Sequence, residues 1–289
     1  MFLNQLKTAL LLGALSGVLF LFGFWIGGSA GLIMAFVFSL LMNFFAYFFS
    51  DKMVLAMYGA QVLDKEKYGK IYDMVEELCF QGKIPMPKLW YIATPMANAF
   101  ATGRNPAHAS VAVTQGILDI LDENELRGVL AHELSHVKNR DILIATVAAT
   151  IATAIGYLAH MLQWSFIFGG SRDSEGNRSG GWGALLAAII MPIAAMFIQL
   201  AISRSREYLA DETGARMCHD PLALASALEK LHNGVQHAHL QSDSPAQAST
   251  ASLFIVYPFS LSGMMNLFST HPPMEKRIEK LRRMSHNMH

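Results

Sequence analysis

Between Thr8 and Phe49 the chain runs for 42 residues without an Asp, Glu, Lys or Arg. No other feature restricts the fold as much, because so long an uncharged apolar run is not tolerated on a water-exposed surface. Gly27, Gly28, Ser29 and Gly31 interrupt it near the middle. Two arms of about 19 residues remain, each long enough at about 1.5 Å per residue to cross a hydrocarbon core. A third uncharged stretch extends from Ile142 to Ser171, with His160 and Gln163 as its main polar interruptions. A fourth covers Ser179 to Ser203. The intervening residues SRDSEGNR (171–178) read as a polar turn. The pattern predicts a mainly α integral membrane protein with about four transmembrane helices in two hairpins, residues 1–50 and 142–203.

Composition agrees. The chain is 53% hydrophobic and 15% charged, where an ordinary soluble chain carries about 25% charge. A cleaved leader is an alternative for the first arm, but a second apolar arm follows at once. A buried or re-entrant helical pair is an alternative for the third and fourth arms. Net charge is zero, so nothing in the balance points to nucleic acid. Cys79 and Cys218 have no framework spacing and read as two ordinary semi-buried thiols of a reducing compartment.

Lys and Arg set the orientation. Residues 51–141 carry ten of them and residues 204–289 nine, while the turn at 171–178 has two and the first hairpin turn none. The positive-inside rule places both richer segments in the cytoplasm. Neither is comfortable as a domain alone, so one α+β domain built from both is expected. Residues 64–81 read as an amphipathic helix closed by Pro85 and Pro87. Residues 88–93, 97–102 and 110–114 read as short strands of a small sheet. Residues 122–139 read as a helix with a capping-box start, Asp122 and Glu125.

That helix carries HELSH, residues 132–136. His132 and His136, four apart, stack on one helix face, and two neutral imidazoles can then share one Zn²⁺ at about 2.0–2.1 Å. Glu133 projects about 100° away. From there it can accept a proton from a zinc-polarised water without occupying a ligand position. A solvated His pair on an ordinary helix is the bland alternative. SREYLADE supplies a third ligand, Glu207, with Asp211 one turn on. Asp211 is expected to bond the far nitrogen of a ligand histidine and fix its tautomer. An even number of crossings between His136 and Glu207 returns the chain to one side. The second hairpin would then bring the two ligand segments together near the cytoplasmic membrane surface. The expectation is a zincin-like metalloprotease domain with one Zn²⁺ per chain.

These residues resemble the HtpX heat-shock proteases of bacterial membranes and, more distantly, the zinc proteases that process prenylated CAAX proteins. The motifs are NAFATG at Asn98–Gly103, VLAHELSHVKNRD at Val129–Asp141, SREYLADE, and THPP near the end. The resemblance implies a third zinc ligand at Glu207 and transition-state or metal-proximal roles for His271 and Arg277. It implies a multi-pass protein of the bacterial inner membrane, active at the cytoplasmic face in stress response and quality control of damaged or misfolded membrane proteins. Read from the residues alone, His271 and Arg277 also fit the start of a solvated terminal helix. Asn98, Ala99, Phe100 and Ala101, with Ser110–Thr114, are expected at a sheet edge where an extended polypeptide substrate could add as a strand. Plain core strands are the alternative. Residues 234–252 read as a mobile loop. His232, His237 and His239 form at most a weak metal cluster.

Three rivals are weighed. A metal site inside the bilayer does not fit the charges flanking HELSH. A metal transporter does not fit spans whose main polar groups are His160 and Gln163. A catalytically inactive metal-binding membrane scaffold stays open. Cleavage specificity and oligomeric state are not legible.

Overall fold

The computed structural model describes residues 2–168, 179–237 and 271–287. The turn at 171–178, most of the segment 234–252, and His239 lie outside the described residues, as does the side chain of His237. The chain divides into two compact units. One comprises Met1–Asn4, Tyr47–Leu143 and Ser203–His289, and the other Gln5–Ala46 and Ile144–Ile202.

The second unit is helical throughout its described residues. It draws on α1 (Phe2–Met57), α5 (Asp141–Phe168) and α6 (Ser179–Cys218). α1 is two helices meeting at Gly28, whose φ of 57° and ψ of −155° lie outside the helical region; only glycine visits such a conformation freely. Three helices among the described residues are long and apolar enough to cross a membrane: Leu6–Met34, Asp141–Trp164 and Leu185–Cys218. The second arm is helical within α1, though about half of its side chains lie outside those described. Inside the unit, Leu15, Leu19 and Phe22 meet Ala148, Ala154, Ile155, Leu158 and Ala195. The alanines let helices approach closely, as in lipid-embedded bundles. Phe20, Leu21, Phe24 and Trp25 stay exposed, the reverse of a water-soluble surface. The polar interruptions are satisfied locally rather than by one another. Gln163 Nε2 donates to the Ala188 carbonyl at 3.4 Å, and Trp164 Nε1 to His160 Nε2 at 2.6 Å.

The first unit holds a four-stranded sheet, β1 (Gln61–Val62), β2 (Lys88–Ile92), β3 (Ala99–Thr102) and β4 (Ser110–Thr114), in the order β1-β2-β4-β3. β2 and β4 are parallel, and the outer pairs antiparallel. β3 is therefore an edge strand, whereas Ser110–Thr114 is interior; the expectation of an edge there is corrected. The reason is the crossover: β4 returns between β2 and β3, pairing parallel with the first and antiparallel with the second, while the two-residue β1 covers the far side of β2. α2 (Gly69–Gly82) starts five residues later than the sequence suggests. Asp64 instead turns the chain, its Oδ1 accepting from the Glu66 N–H, a usual competitor of helix starts. Its further helices among the described residues include α3 (Gln115–Ile120), α4 (Glu123–Lys138), α7 (Pro221–His237) and α8 (Met274–His286). Leu126, Val129, Leu130 and Leu134 of α4 enter a core with Val75 and Leu78 of α2, Leu224 and Leu228 of α7, and Ile278 and Leu281 of α8. Cys79 and Cys218 are free and buried; burial pushes the Cys79 thiol up to about 11, leaving it inert. His232 is half-buried in α7.

Candidate metal centre

α4 begins on the predicted capping box. Asp122 accepts from the Asn124 and Glu125 N–H groups at 3.0 Å each, and Glu125 Oε2 accepts from the Asp122 N–H at 3.0 Å. Such a start fixes the helix phase for the turns that follow. α4 ends at Asn139, and Arg140, with φ 55°, turns the chain sharply into α5. α4 also meets α6 closely. A Cβ on Gly214 would lie 2.9 Å from both the Cα and the N of His132, so only glycine permits this approach.

His132 and His136 converge, their Nε2 atoms 3.1 Å apart. Glu207 Oε2 lies 3.7 Å from His132 Nε2, and Glu207 Oε1 3.5 Å from His136 Nε2. Two atoms bound tetrahedrally to one zinc ion at about 2.0–2.1 Å sit about 3.3 Å apart. The observed spacings bracket that edge, and these three residues form a metal-ligand group. His132 is fully buried and His136 is half-buried.

Each ligand histidine turns its other nitrogen to a carboxylate. His132 Nδ1 lies 3.0 Å from Asp211 Oδ1, and His136 Nδ1 2.7 Å from Asp141 Oδ2. Asp141 was missed, although a carboxylate five residues after His136, beyond a helix stop, was a readable signal. Each carboxylate meets a buried arginine. Arg277 Nε and Nη2 donate to Asp211 Oδ2 and Oδ1 at 2.8 and 2.7 Å, and its Nη1 lies 3.2 Å from Glu207 Oε2. Arg206 donates to Asp141. His271 Nδ1 lies 3.2 Å from Glu207 Oε2. Arg277 is thus committed to Asp211 and Glu207 and fully buried, so the solvated-helix reading of it does not hold.

Charge supplies an independent test of metal fit. Glu133, Asp141, Glu207 and Asp211 are buried beside two buried guanidinium groups, Arg206 and Arg277. Four carboxylates against two cations leave two uncompensated negative charges, which a divalent cation neutralises. Without metal, protons take its place. Burial opposes a charge on His136, but the Asp141 hydrogen bond and the nearby Glu207 and Glu133 outweigh it and raise His136 to about 9. Burial likewise raises the Glu133 carboxyl above its usual range.

Glu133 is held by the sheet. Its Oε2 accepts from the Ala101 N–H at 2.8 Å. Ala101 is half-buried, whereas the side chains of Asn98, Ala99 and Phe100 are buried. Phe100 packs with Leu55, Ile92 and Ala112. The structure brings His132, Glu133, His136, Glu207, Asp211, His271 and Arg277 together, with β3 attached through Ala101.

A sequence profile of peptidase family M48 matches residues 65–285. A curated protease HtpX homolog of Persephonella marina is 52% identical over 286 residues, covering 99% of both chains. One from Syntrophobacter fumaroxidans is 52% identical across 97% of this chain and 99% of its own. The archaeal relative from Thermococcus sibiricus is 49% identical across 98% and 97%. Among solved structures, the crystal structure of S. mikatae Ste24p matches with a TM-score of 0.60 at 19% identity, covering 97% of this chain and 66% of that one; the likeness is one of fold. The site's geometry and these relationships agree that the chain is a multi-pass membrane metallopeptidase of family M48, homologous to the HtpX proteases.

Proposed function

We propose that the metal is zinc, one ion per chain, and that the protein is an endopeptidase cleaving damaged or misfolded membrane proteins at the cytoplasmic face of the bacterial inner membrane. The observation that carries this reading is Glu133, buried one residue from a metal ligand and anchored to the edge strand of the sheet. His132, His136 and Glu207 would hold the ion, all through nitrogen or oxygen, a donor set that suits zinc with a fourth position open. When bound, zinc supplies Lewis acidity and an activated water.

The chain's own groups do the rest. Glu133 Oε2 is engaged by Ala101, so we assign proton transfer to Oε1, which takes a proton from the attacking water and delivers it to the leaving amine. Burial of the carboxyl beside the ligands suits this double duty, because bulk water is kept from competing for the proton. Asp211 and Asp141 keep the ligand Nδ1 protons in place, leaving the Nε2 lone pairs for the metal. Arg277 positions Asp211 and Glu207. His271, beside Glu207, is assigned a place near the reacting carbonyl. Asn98, Ala99, Phe100 and Ala101 are assigned to substrate at the β3 edge, through backbone rather than side chains, with Asn98, whose own N–H and C=O are taken by Thr114, fixing the start of that edge. Backbone recognition tolerates varied side chains, as clearance of damaged proteins requires. The cytoplasmic side rests on the distribution of Lys and Arg in the sequence.

The competing reading is an inactive metal-binding scaffold. Glu133→Gln separates the two: casein cleavage is expected to vanish while zinc content stays at wild-type level. Cleavage that survives the change removes Glu133 from its role.

A further inference from the structure

We infer that Arg206 is a positioning residue of the metal centre, holding His136 in place for the metal through Asp141. The inference deepens the zinc reading above and rests on it.

Arg206 directly precedes Glu207 in α6, so the two side chains leave the helix about 100° apart. Glu207 faces the imidazoles. Arg206 reaches the junction of α4 and α5, where Nε and Nη2 both donate to Asp141 Oδ1. Nη2 also donates to the Asn139 carbonyl at 3.1 Å, the residue that ends α4. The two oxygens of Asp141 are therefore divided. Oδ1 takes the guanidinium, and Oδ2 is left for His136 Nδ1 at 2.7 Å.

Asp141 has reason to need an outside anchor. It follows Arg140, whose φ of 55° makes the sharp turn between the helices, and such a junction does not fix the next side chain by itself. A planar fork can satisfy the carboxylate and the helix-end carbonyl at once, which an ammonium cannot do from one point. At the other ligand, Arg277 grips Asp211, which faces His132. Arg277 also approaches Glu207, so its removal mixes two effects. The described hydrogen bonds of Arg206 go to Asp141 and Asn139 and not to a ligand. Its removal therefore touches no metal ligand directly, and the double variant with Asp141→Asn separates the relay from the Asn139 contact.

The test uses the full-length protein in detergent, with zinc affinity measured by chelator competition and the apo melting temperature measured alongside. Arg206→Lys and Asp141→Asn should each weaken zinc binding by about 10–100-fold. The double variant should bind no more weakly than Asp141→Asn alone, because Arg206 acts through Asp141. Cobalt-loaded Arg206→Lys should show a changed visible absorption band, a signature that a merely structural role would leave in place. Zinc affinity within twofold of wild type in Arg206→Lys or Asp141→Asn overturns the inference, as does a double variant showing the product of the single losses. If Arg206→Lys does not fold, Arg206→Gln, which keeps a donor for Asp141 and removes the planar charged fork, carries the same test. A wild type that takes up no zinc overturns the metal reading and this inference with it. A zinc-binding wild type with an unchanged variant overturns the inference alone.

Discussion

Replacing Arg277 with methionine removes the cation that three carboxylate oxygens share. Asp211 loses hydrogen bonds of 2.7 and 2.8 Å, and Glu207 Oε2 loses a guanidinium at 3.2 Å. Methionine fills similar volume, so the loss is electrostatic rather than a cavity. The site then holds four buried carboxylates against one guanidinium, one negative charge more than the protons of the metal-free fold had to offset. Breaking a buried pair from one side typically costs about 3–5 kcal/mol. For a unit of this size each kcal/mol lowers the melting temperature by about 2–4 °C, so a fall of about 6–20 °C is expected. Thermal unfolding of the metal-free protein in detergent, followed by intrinsic fluorescence, measures it. Asp211→Asn in the Arg277→Met background should restore part of the loss, because it removes one of the stranded charges while keeping an acceptor for His132. A fall under 2 °C, or a double variant less stable than Arg277→Met alone, would refute the claim that these charges hold one another.

Two further predictions concern the same region. His136 sits at about 9 in the metal-free fold, above its ordinary 6.5. Its protonation therefore adds stability that is fully present below pH 6.5 and lost as pH rises through 9, up to about 3 kcal/mol in all. The melting temperature of chelator-treated protein should fall between pH 6.5 and 10, and the slope should flatten when zinc replaces the proton; a flat apo profile would contradict this. Gly214→Ala places a methyl group 2.9 Å from the His132 backbone, so overpacking should cost about 1–3 kcal/mol and weaken zinc binding. Unchanged melting and zinc affinity would show that α4 and α6 are not in close register.

What the sequence revealed depended on how local the determinant was. The first, third and fourth apolar arms, the Gly28 break and the capped helix from Asp122 are local patterns, and each has its counterpart among the described residues. HELSH was readable because one helical turn alone brings two imidazoles together. Glu207 and Asp211 were readable only relative to HELSH, since SREYLADE by itself is an ordinary acidic helix surface. Arg206 was not readable: its partner Asp141 lies 65 residues away, and no spacing rule spans that distance. The sheet order was also hidden. β1 has only two residues, and the parallel pairing of β2 with β4 depends on a crossover through β3. The inward packing of Phe100 follows from that order and not from the NAFATG motif.

Metal content of the purified protein addresses the central claim most directly. Wild type should carry one zinc per chain, while His132→Ala and Glu207→Ala, purified in parallel, should carry almost none. Near-stoichiometric zinc in the Glu207→Ala protein would contradict a centre built from two segments that lie about 70 residues apart.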